Sequence, residues 1–246
     1  MRVEVVTAVH SSYARYLPAA WRSLCAQTHQ DWRWLIQVDD ESPASVLAAL
    51  GDCGAADDPR ISLAVNGSHE SPAITRNVAL GRATAPLIQN LDADDELAPT
   101  ALAALSAALL AHPTAGFAVG PTQDLLSSGE LVEFPLPFEP GLLPRGVLVR
   151  AWSADHRLPV HPAGVMWRRE LLLITGGWAA MRGMEDTGLL ISASAIAPGV
   201  VVDTITLRYR KHRQQLSSRT IFFEGQGDQI PLIEQRAETL LARPGW

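Results

Sequence analysis

The sequence predicts an α/β fold on a mainly parallel central sheet flanked by helices, and three observations carry that expectation. Short β-branched runs alternate with Ala/Leu stretches of helical period through the first half of the chain, the pattern of strand-helix-strand units. Two of those runs end directly in acidic clusters, Asp39-Asp40-Glu41 and Asp92-Ala93-Asp94-Asp95, where an open sheet places its ligands. The 246 residues are 47% hydrophobic, enough to fill one sizeable core.

In chain order, strands are expected at Val3–Val9, Arg33–Val38, Ile61–Val65, Leu87–Asn90 and Gly116–Val119, each an aliphatic run bounded by turn residues. Helices fall between them: Pro18–Gln27, with proline in its first turn, a short one from Pro43, Pro72–Arg82 and Pro99–Ala111. Between Gly120 and Arg150 the periodicity fades, and Pro135, Pro137, Pro140, Pro144, Gly141 and Gly146 mark loop or edge structure. Order resumes with a strand at Gly164–Trp167, a short helix from Arg168, a Gly176-Gly177 turn and a helix over Thr187–Ala195. Strands at Val200–Asp203 and Thr206–Arg210 and an amphipathic helix, Ile230–Leu241, follow. No internal repeat interrupts this, so the expected organisation is one domain in two halves, 1–120 and 121–246.

The net charge of −6 offers no basic field to a polyphosphate backbone, which argues against nucleic acid as a partner. The basic run Arg208–Arg213 is a local exception, better read as a diphosphate contact or a solvated face. Cys25 and Cys53 stand in no metal-ligand spacing and suggest no disulfide framework, which fits a cytoplasmic location. The apolar N-terminal run is too short for a signal peptide and reads as a strand. Leu97–Ala111 falls short of the roughly 20 residues needed to cross a bilayer and reads as a buried helix, so no transmembrane anchor is expected.

The aspartates after the fourth strand suit a hard divalent cation, to which a diphosphate adds further oxygens. The bland alternative is a solvated turn in which Asp95 or Glu96 caps the next helix. The pair Asp39-Asp40 opens toward the same sheet edge, and a carboxylate there can accept a hydrogen bond from a nucleobase N–H or a ribose hydroxyl. A helix cap before Pro43 is the alternative. Glu185-Asp186, at the start of a late helix, are either capping groups or a general base.

Several motifs together resemble one known family. A strand ending in Val6-Thr7, then Leu24-Cys25-Ala26-Gln27-Thr28, Val38-Asp39-Asp40, Thr75-Arg76-Asn77 and the run Leu91-Asp92-Ala93-Asp94-Asp95 are similar to family-two glycosyltransferases of GT-A fold, over most of residues 3–217. The resemblance implies a Rossmann-like sheet with a smaller acceptor-side region, and inverting transfer from a nucleotide diphosphate sugar, expected to be a UDP-sugar. The acceptor, a small molecule or glycan, stays open, as does the oligomeric state. By the same resemblance Thr7, Asp39 and Asp40 contact the nucleoside, and Arg76 lies near the donor. Asp92 and Asp94 form the Asp-x-Asp motif on ribose and metal, Mn2+ or Mg2+. Asp94, with Asp95 as alternative, and His212 ligate that metal, and Asp186, paired with Glu185, is the base.

Three departures stand out. Glu41 replaces the glycine common after Val-Asp-Asp, and His10 replaces an aromatic, which leaves base stacking to another ring such as Tyr13. The Gln-x-x-Arg-Trp signature of processive synthases is absent, which favours single additions. The acceptor is expected against Gly120–Pro162, with Trp152, His156 and His161 lining an apolar mouth. Two other classes compete. A nucleotidyltransferase would carry a glycine-rich phosphate loop near the first strand, and Thr7–Tyr13 has no glycine. A catalytically inactive nucleotide-sugar-binding or scaffold protein of the same fold is the second.

Overall fold

Val3–Val9 forms β1 at the centre of the sheet, and the units expected around it are present in order: α1 (Leu17–Cys25), β2 (Trp32–Val38), α2 (Ala44–Asp52), β3 (Ile61–Val65), α3 (Pro72–Arg82) and β4 (Leu87–Asn90). A two-residue strand β5 (Glu96–Leu97), α4 (Ala101–Ala111) and β6 (Phe117–Val119) follow. The structure is a computed structural model and describes residues 1–134, 136–213, 215 and 226–245. Pro135, expected to mark loop or edge structure, and positions 214, 216 and 217, all within the stretch over which the family resemblance runs, lie outside the described residues.

The side-chain period of two decides what each strand buries. In β1, Val3, Val5 and Val9 join a core with α1, α2 and α4 on one face of the sheet. Val6 points into a second core on the other face, with Leu35 of β2 and Ile88 of β4. Both faces are therefore covered, as a parallel sheet requires. β1 pairs parallel with β2 and β4, and β2 with β3, so these strands end at one edge.

The stretch expected to be loop or edge is more ordered than its prolines suggest. It contains β7 (Thr122–Leu125), β8 (Leu131–Phe134), β9 (Gly141–Leu143) and a helix, α5 (Val147–Asp155). Strands of three or four residues are too short to show alternation, and β8 is exposed along its whole length, which removes the hydrophobic signal. Beyond lie β10 (Met166–Arg168), α6 (Arg169–Thr175), α7 (Glu185–Ile196), β11 (Gly199–Val201), β12 (Leu207–Arg210) and α8 (Gln226–Leu241).

The main sheet has eight strands in the order β3-β2-β1-β4-β10-β6-β11-β9. β10 enters antiparallel between β4 and β6, which makes the sheet mixed. Helices α3, α5, α6, α7 and α8 supply the second core, through residues such as Leu80, Trp152, Leu172, Leu190 and Ile233. A smaller sheet, β5-β12-β7-β8, stands beside the first. Its strand β12 runs antiparallel to β5 and parallel to β7, so it passes the acidic turn between β4 and β5. Among the described residues no helix is long and apolar enough to cross a membrane.

Candidate functional site

Because β1, β2 and β4 are parallel, His10, Asp39 and Asp92 follow their carboxyl ends at one edge of the sheet, and there a cleft of about 670 Å³ opens. The N-terminus of α7 forms its opposite wall, with Met184, Glu185, Asp186 and Thr187. Leu158, His161 and Tyr209 lie along the same cavity.

Asp39 is the carboxylate that β2 delivers into the cleft. Its Oδ1 accepts from the Glu70 backbone N–H at 2.8 Å and from Asn66 Nδ2 at 3.1 Å, and its Oδ2 lies 3.2 Å from His69 Nδ1. Asn66 is itself tied to Thr75 and Gln37, so the loop after β3 fixes this carboxylate. Asp40 lies outside the cleft lining. It accepts from the Glu41 N–H at 2.7 Å, and a hydrogen bond from the Ser11 side chain is the main reason its carboxyl is held below the ordinary range. Of the two carboxylates expected at the nucleoside, Asp39 therefore faces the cleft and Asp40 does not.

Thr7 is also placed differently from expectation. It is wholly buried, donates to the Leu91 carbonyl at 2.7 Å and accepts from Trp34 Nε1 at 2.8 Å. Thr7 shares the face of β1 that carries Val5 and Val9, so its hydroxyl ties β1 to β4 and β2 beneath the cleft. Ala8, Val9 and His10 line the cleft in its stead. The His10 ring meets His69 edge to face at 4.9 Å, and Tyr13 also lines the cavity.

The acidic turn is held between the two sheets. The Leu91 N–H continues the β4 ladder to the Val6 carbonyl, and the Asp95 N–H closes the turn onto the Asp92 carbonyl. Arg210, on β12, donates from Nε to the Asp94 carbonyl at 2.8 Å and pairs with Glu96. This brings His212 Nε2 to 2.8 Å from Asp94 Oδ2, with the imidazole against the rings of Tyr13 and Tyr16. Burial, then Asp92, raises the Asp94 carboxyl above its ordinary range, while His212 opposes the shift.

Asp95, the alternative metal ligand, does not face the cleft. It is fully buried, and its Oδ1 accepts from the Arg210 backbone N–H at 2.9 Å. Burial, followed by the neighbouring Asp94, pushes its carboxyl well above the ordinary range. Among the described residues no three His, Cys, Asp or Glu side chains converge on a metal position. Asp94 and His212 fit a divalent ion as a two-donor half-site, one hard oxygen and one imidazole nitrogen, that ligand oxygens would complete.

Arg76 joins the two walls of the cleft. It is 5% exposed, and its Nη2 donates to Asp92 Oδ1 at 2.7 Å. Its Nη1 lies 3.5 Å from Asp186 Oδ2 and 3.6 Å from Glu185 Oε1. Burial works against its charge, but Asp186, Asp92 and Glu185 outweigh it and hold the guanidinium above its ordinary value. The two carboxyls on α7 shift as well. Glu185 is pushed up to about 7, by burial and then by Asp186. Asp186 is raised by burial, with Arg76 pulling down and Asp92 adding to the rise. The Trp178 indole N–H donates to Asp186 Oδ1 at 2.8 Å.

Of the side chains expected to form an apolar mouth, His156 and His161 line the cleft and Trp152 does not. Trp152 is fully buried in the core beneath, with its ring edge on His156 at 4.9 Å. His161 packs on Tyr209 at 4.3 Å, and burial drops its imidazole to about 4, so it is neutral at physiological pH.

Residues 4–142, more than half of the chain, match the family model described as Glycosyl transferase family 2. Over 111 residues the sequence is 32% identical to the O-antigen biosynthesis protein RfbC of Myxococcus xanthus, covering 45% of this chain and 9% of that protein. The structure superposes on TarS of S. aureus in complex with UDP-GlcNAc with a TM-score of 0.74, at 16% identity over 98% of this chain and 71% of the other. It also superposes on the mannosyltransferase PcManGT of Pyrobaculum calidifontis, in complex with GDP-Man and Mn2+, with a TM-score of 0.56. There the identity is 17%, over 82% of this chain and 54% of the other. At these identities the structural likeness is one of fold.

Proposed function

This chain belongs to glycosyl transferase family 2, with a mixed sheet flanked by helices of the GT-A type, and on that premise we propose that it is an inverting glycosyltransferase using a nucleotide diphosphate sugar. The observation that carries the reading is Arg76, which links Asp92 on the strand-end wall to Glu185 and Asp186 on the opposite wall of one cleft. A reaction between two bound substrates needs such a cavity, with a diphosphate site on one side and a base on the other.

Residues 1–120 then form the donor half and 121–246 the acceptor half of a single domain. Asp39 accepts a hydrogen bond from the base, and UDP is favoured because the uracil N3–H offers one donor to one carboxylate. His10, His69 and Tyr13 flank the base, and Asp92 faces the ribose. Asp94 and His212 hold a divalent cation, Mn2+ or Mg2+, which when bound neutralises charge on the diphosphate.

On the acceptor side, Asp186 takes the proton of the acceptor hydroxyl as its oxygen bonds to the anomeric carbon. The bond from that carbon to the diphosphate oxygen breaks with its electron pair leaving on the diphosphate, and the configuration inverts. Arg76 stabilises the negative charge that develops across the cleft. Neutral His161 and Leu158 suit an uncharged, hydroxylated acceptor and exclude water from the reacting centre.

The test is turnover of UDP-sugars by the wild type and by Asp186→Asn, with product configuration read by proton NMR. Loss of turnover by roughly 1,000-fold in the variant, with donor affinity kept and inverted product in the wild type, is expected. Wild-type turnover by Asp186→Asn, or a retained configuration, would overturn the assignment.

A further inference from the structure

Asp186 is held by a chain of contacts that begins on the opposite wall of the cleft. Asn77, next to Arg76 on α3, uses both ends of its amide on one residue 101 positions away: Nδ2 donates to the Trp178 carbonyl at 2.8 Å, and Oδ1 accepts from the Trp178 N–H at 2.9 Å. The Trp178 side chain is 2% exposed, and its Nε1–H reaches Asp186 Oδ1 at 2.8 Å. The clamp depends on the residue before it. Gly177 has φ +71, and a Cβ there would stand 2.2 Å from Asn77 Oδ1, so no other residue lets the Asn77 amide approach this backbone so closely.

We propose that Asn77 and Trp178 are positioning residues for Asp186: Asn77 locks the backbone of Trp178, and the indole N–H holds the carboxylate with its second oxygen toward Arg76 and the cleft. This rests on the reading of Asp186 as the base. A single donor on Oδ1 leaves Oδ2, 3.5 Å from Arg76 Nη1, as the oxygen free to take a proton. Adjacent residues of α3 thus set both the counter-ion and the orientation of a group on α7, so that the donor-side helix aligns the acceptor-side base. Plain core packing of an indole would explain the burial of Trp178. It would not explain a two-point backbone clamp matched to a glycine and ending on a carboxylate at the cleft.

The groups facing Asp186 are Glu185 on its own helix, Arg76 from α3 and Asp92 from the turn after β4, with Trp178 as the hydrogen-bond donor. Loss of that donor removes a bond to the ionised form and raises the pH at which the carboxyl titrates.

The experiment uses the full chain and two variants, Trp178→Phe and Asn77→Ala. It measures hydrolysis of UDP-N-acetylglucosamine with manganese and water as acceptor, together with carbon-13 NMR titration of the Asp186 carboxyl. Both variants are expected to lower kcat roughly 10- to 100-fold with KM for the nucleotide sugar within about two-fold. The acid limb of kcat and the Asp186 titration should both move to higher pH. Asn77→Asp, which keeps the acceptor for the Trp178 N–H and loses the donor, should fall between Asn77→Ala and wild type, and it carries the test if Trp178→Phe does not fold. Unchanged kcat and unchanged titration in folded variants overturn the proposal. Where the nucleotide sugar is not turned over, the titration alone decides, and an unmoved Asp186 is the overturning result. Asp186→Asn separates the two claims: wild-type hydrolysis in that variant removes the base reading, while a titration shift in Trp178→Phe still establishes the clamp.

Discussion

Arg76 carries one charge against three partly buried carboxylates, and the balance at this residue sets how the cleft responds to pH. Arg76→Met would leave Asp92, Glu185 and Asp186 without their shared cation. A loss of about 3 kcal/mol in unfolding free energy is expected at pH 8, shrinking toward pH 5 as the carboxyls take up protons. Urea unfolding at the two pH values checks this, and a loss independent of pH would contradict it. Glu185 gives the complementary case. Its carboxyl is raised to about 7 in the folded chain from an ordinary 4.5, so its contribution to stability is present below about pH 4.5 and lost as pH rises through 7. Glu185→Gln, which cannot ionise, should be more stable than wild type by about 1–3 kcal/mol at pH 8 and no different below pH 4. Equal urea midpoints at pH 8 would refute the burial argument. Most of these residues were legible as motifs, because Asp92, Asp94, Arg76, Glu185 and Asp186 stand in recognisable local patterns. Thr7 and Asp40 were not, since which way a strand-end side chain turns depends on partners such as Trp34 and Ser11 that no local pattern names. Asn66 and His69, which fix Asp39, carry no motif at all.

The elements around the site are legible in proportion to their length. β1 to β4 and the helices between them show clear periodicity and match expectation closely. β7, β8 and β9 are too short or too exposed to alternate, and α5 hides behind a proline-rich approach. Yet these short elements decide the metal side of the cleft. β12 needs both β5 and β7 to run past the acidic turn, and only then does His212 reach Asp94. The junction at Gly120, between β6 and β7, is correspondingly tight. A Cβ there would lie 2.5 Å from Thr206 Cγ2 and 2.7 Å from the Thr204 carbonyl, just before β12. Gly120→Ala should therefore cost about 1–3 kcal/mol and weaken manganese-dependent nucleotide binding, while a control in an open glycine such as Gly51→Ala should do neither. Thermal unfolding with and without UDP and manganese distinguishes them. A Gly120→Ala protein with wild-type stability and ligand response would show that this junction does not position β12.

At the scale of the whole molecule, the two halves seen in the sequence share one sheet. β10, from the second half, sits between β4 and β6 of the first, and the second core combines Val6 and Ile88 with Trp167 and Leu190. The expected mainly parallel sheet is present, with β10 and β9 alone running against its other strands, and no sequence period announces the insertion of β10. Residues 1–120 expressed alone should accordingly lack a cooperative urea transition, having lost β10 from the side of β4 and most of the second core. A sharp transition in that fragment would show that the halves are separate domains. The cleft itself gathers carboxylates on both walls within a chain of net charge −6, an electrostatic arrangement completed by a cation. The most direct measurement is therefore calorimetric titration of the full chain with UDP, with manganese and with chelator, repeated for Asp94→Ala and with GDP and dTDP. Manganese-dependent binding of UDP, weaker for GDP and abolished by Asp94→Ala, is the predicted result; no nucleotide binding under any condition, or binding indifferent to manganese and to Asp94, would contradict the transferase assignment.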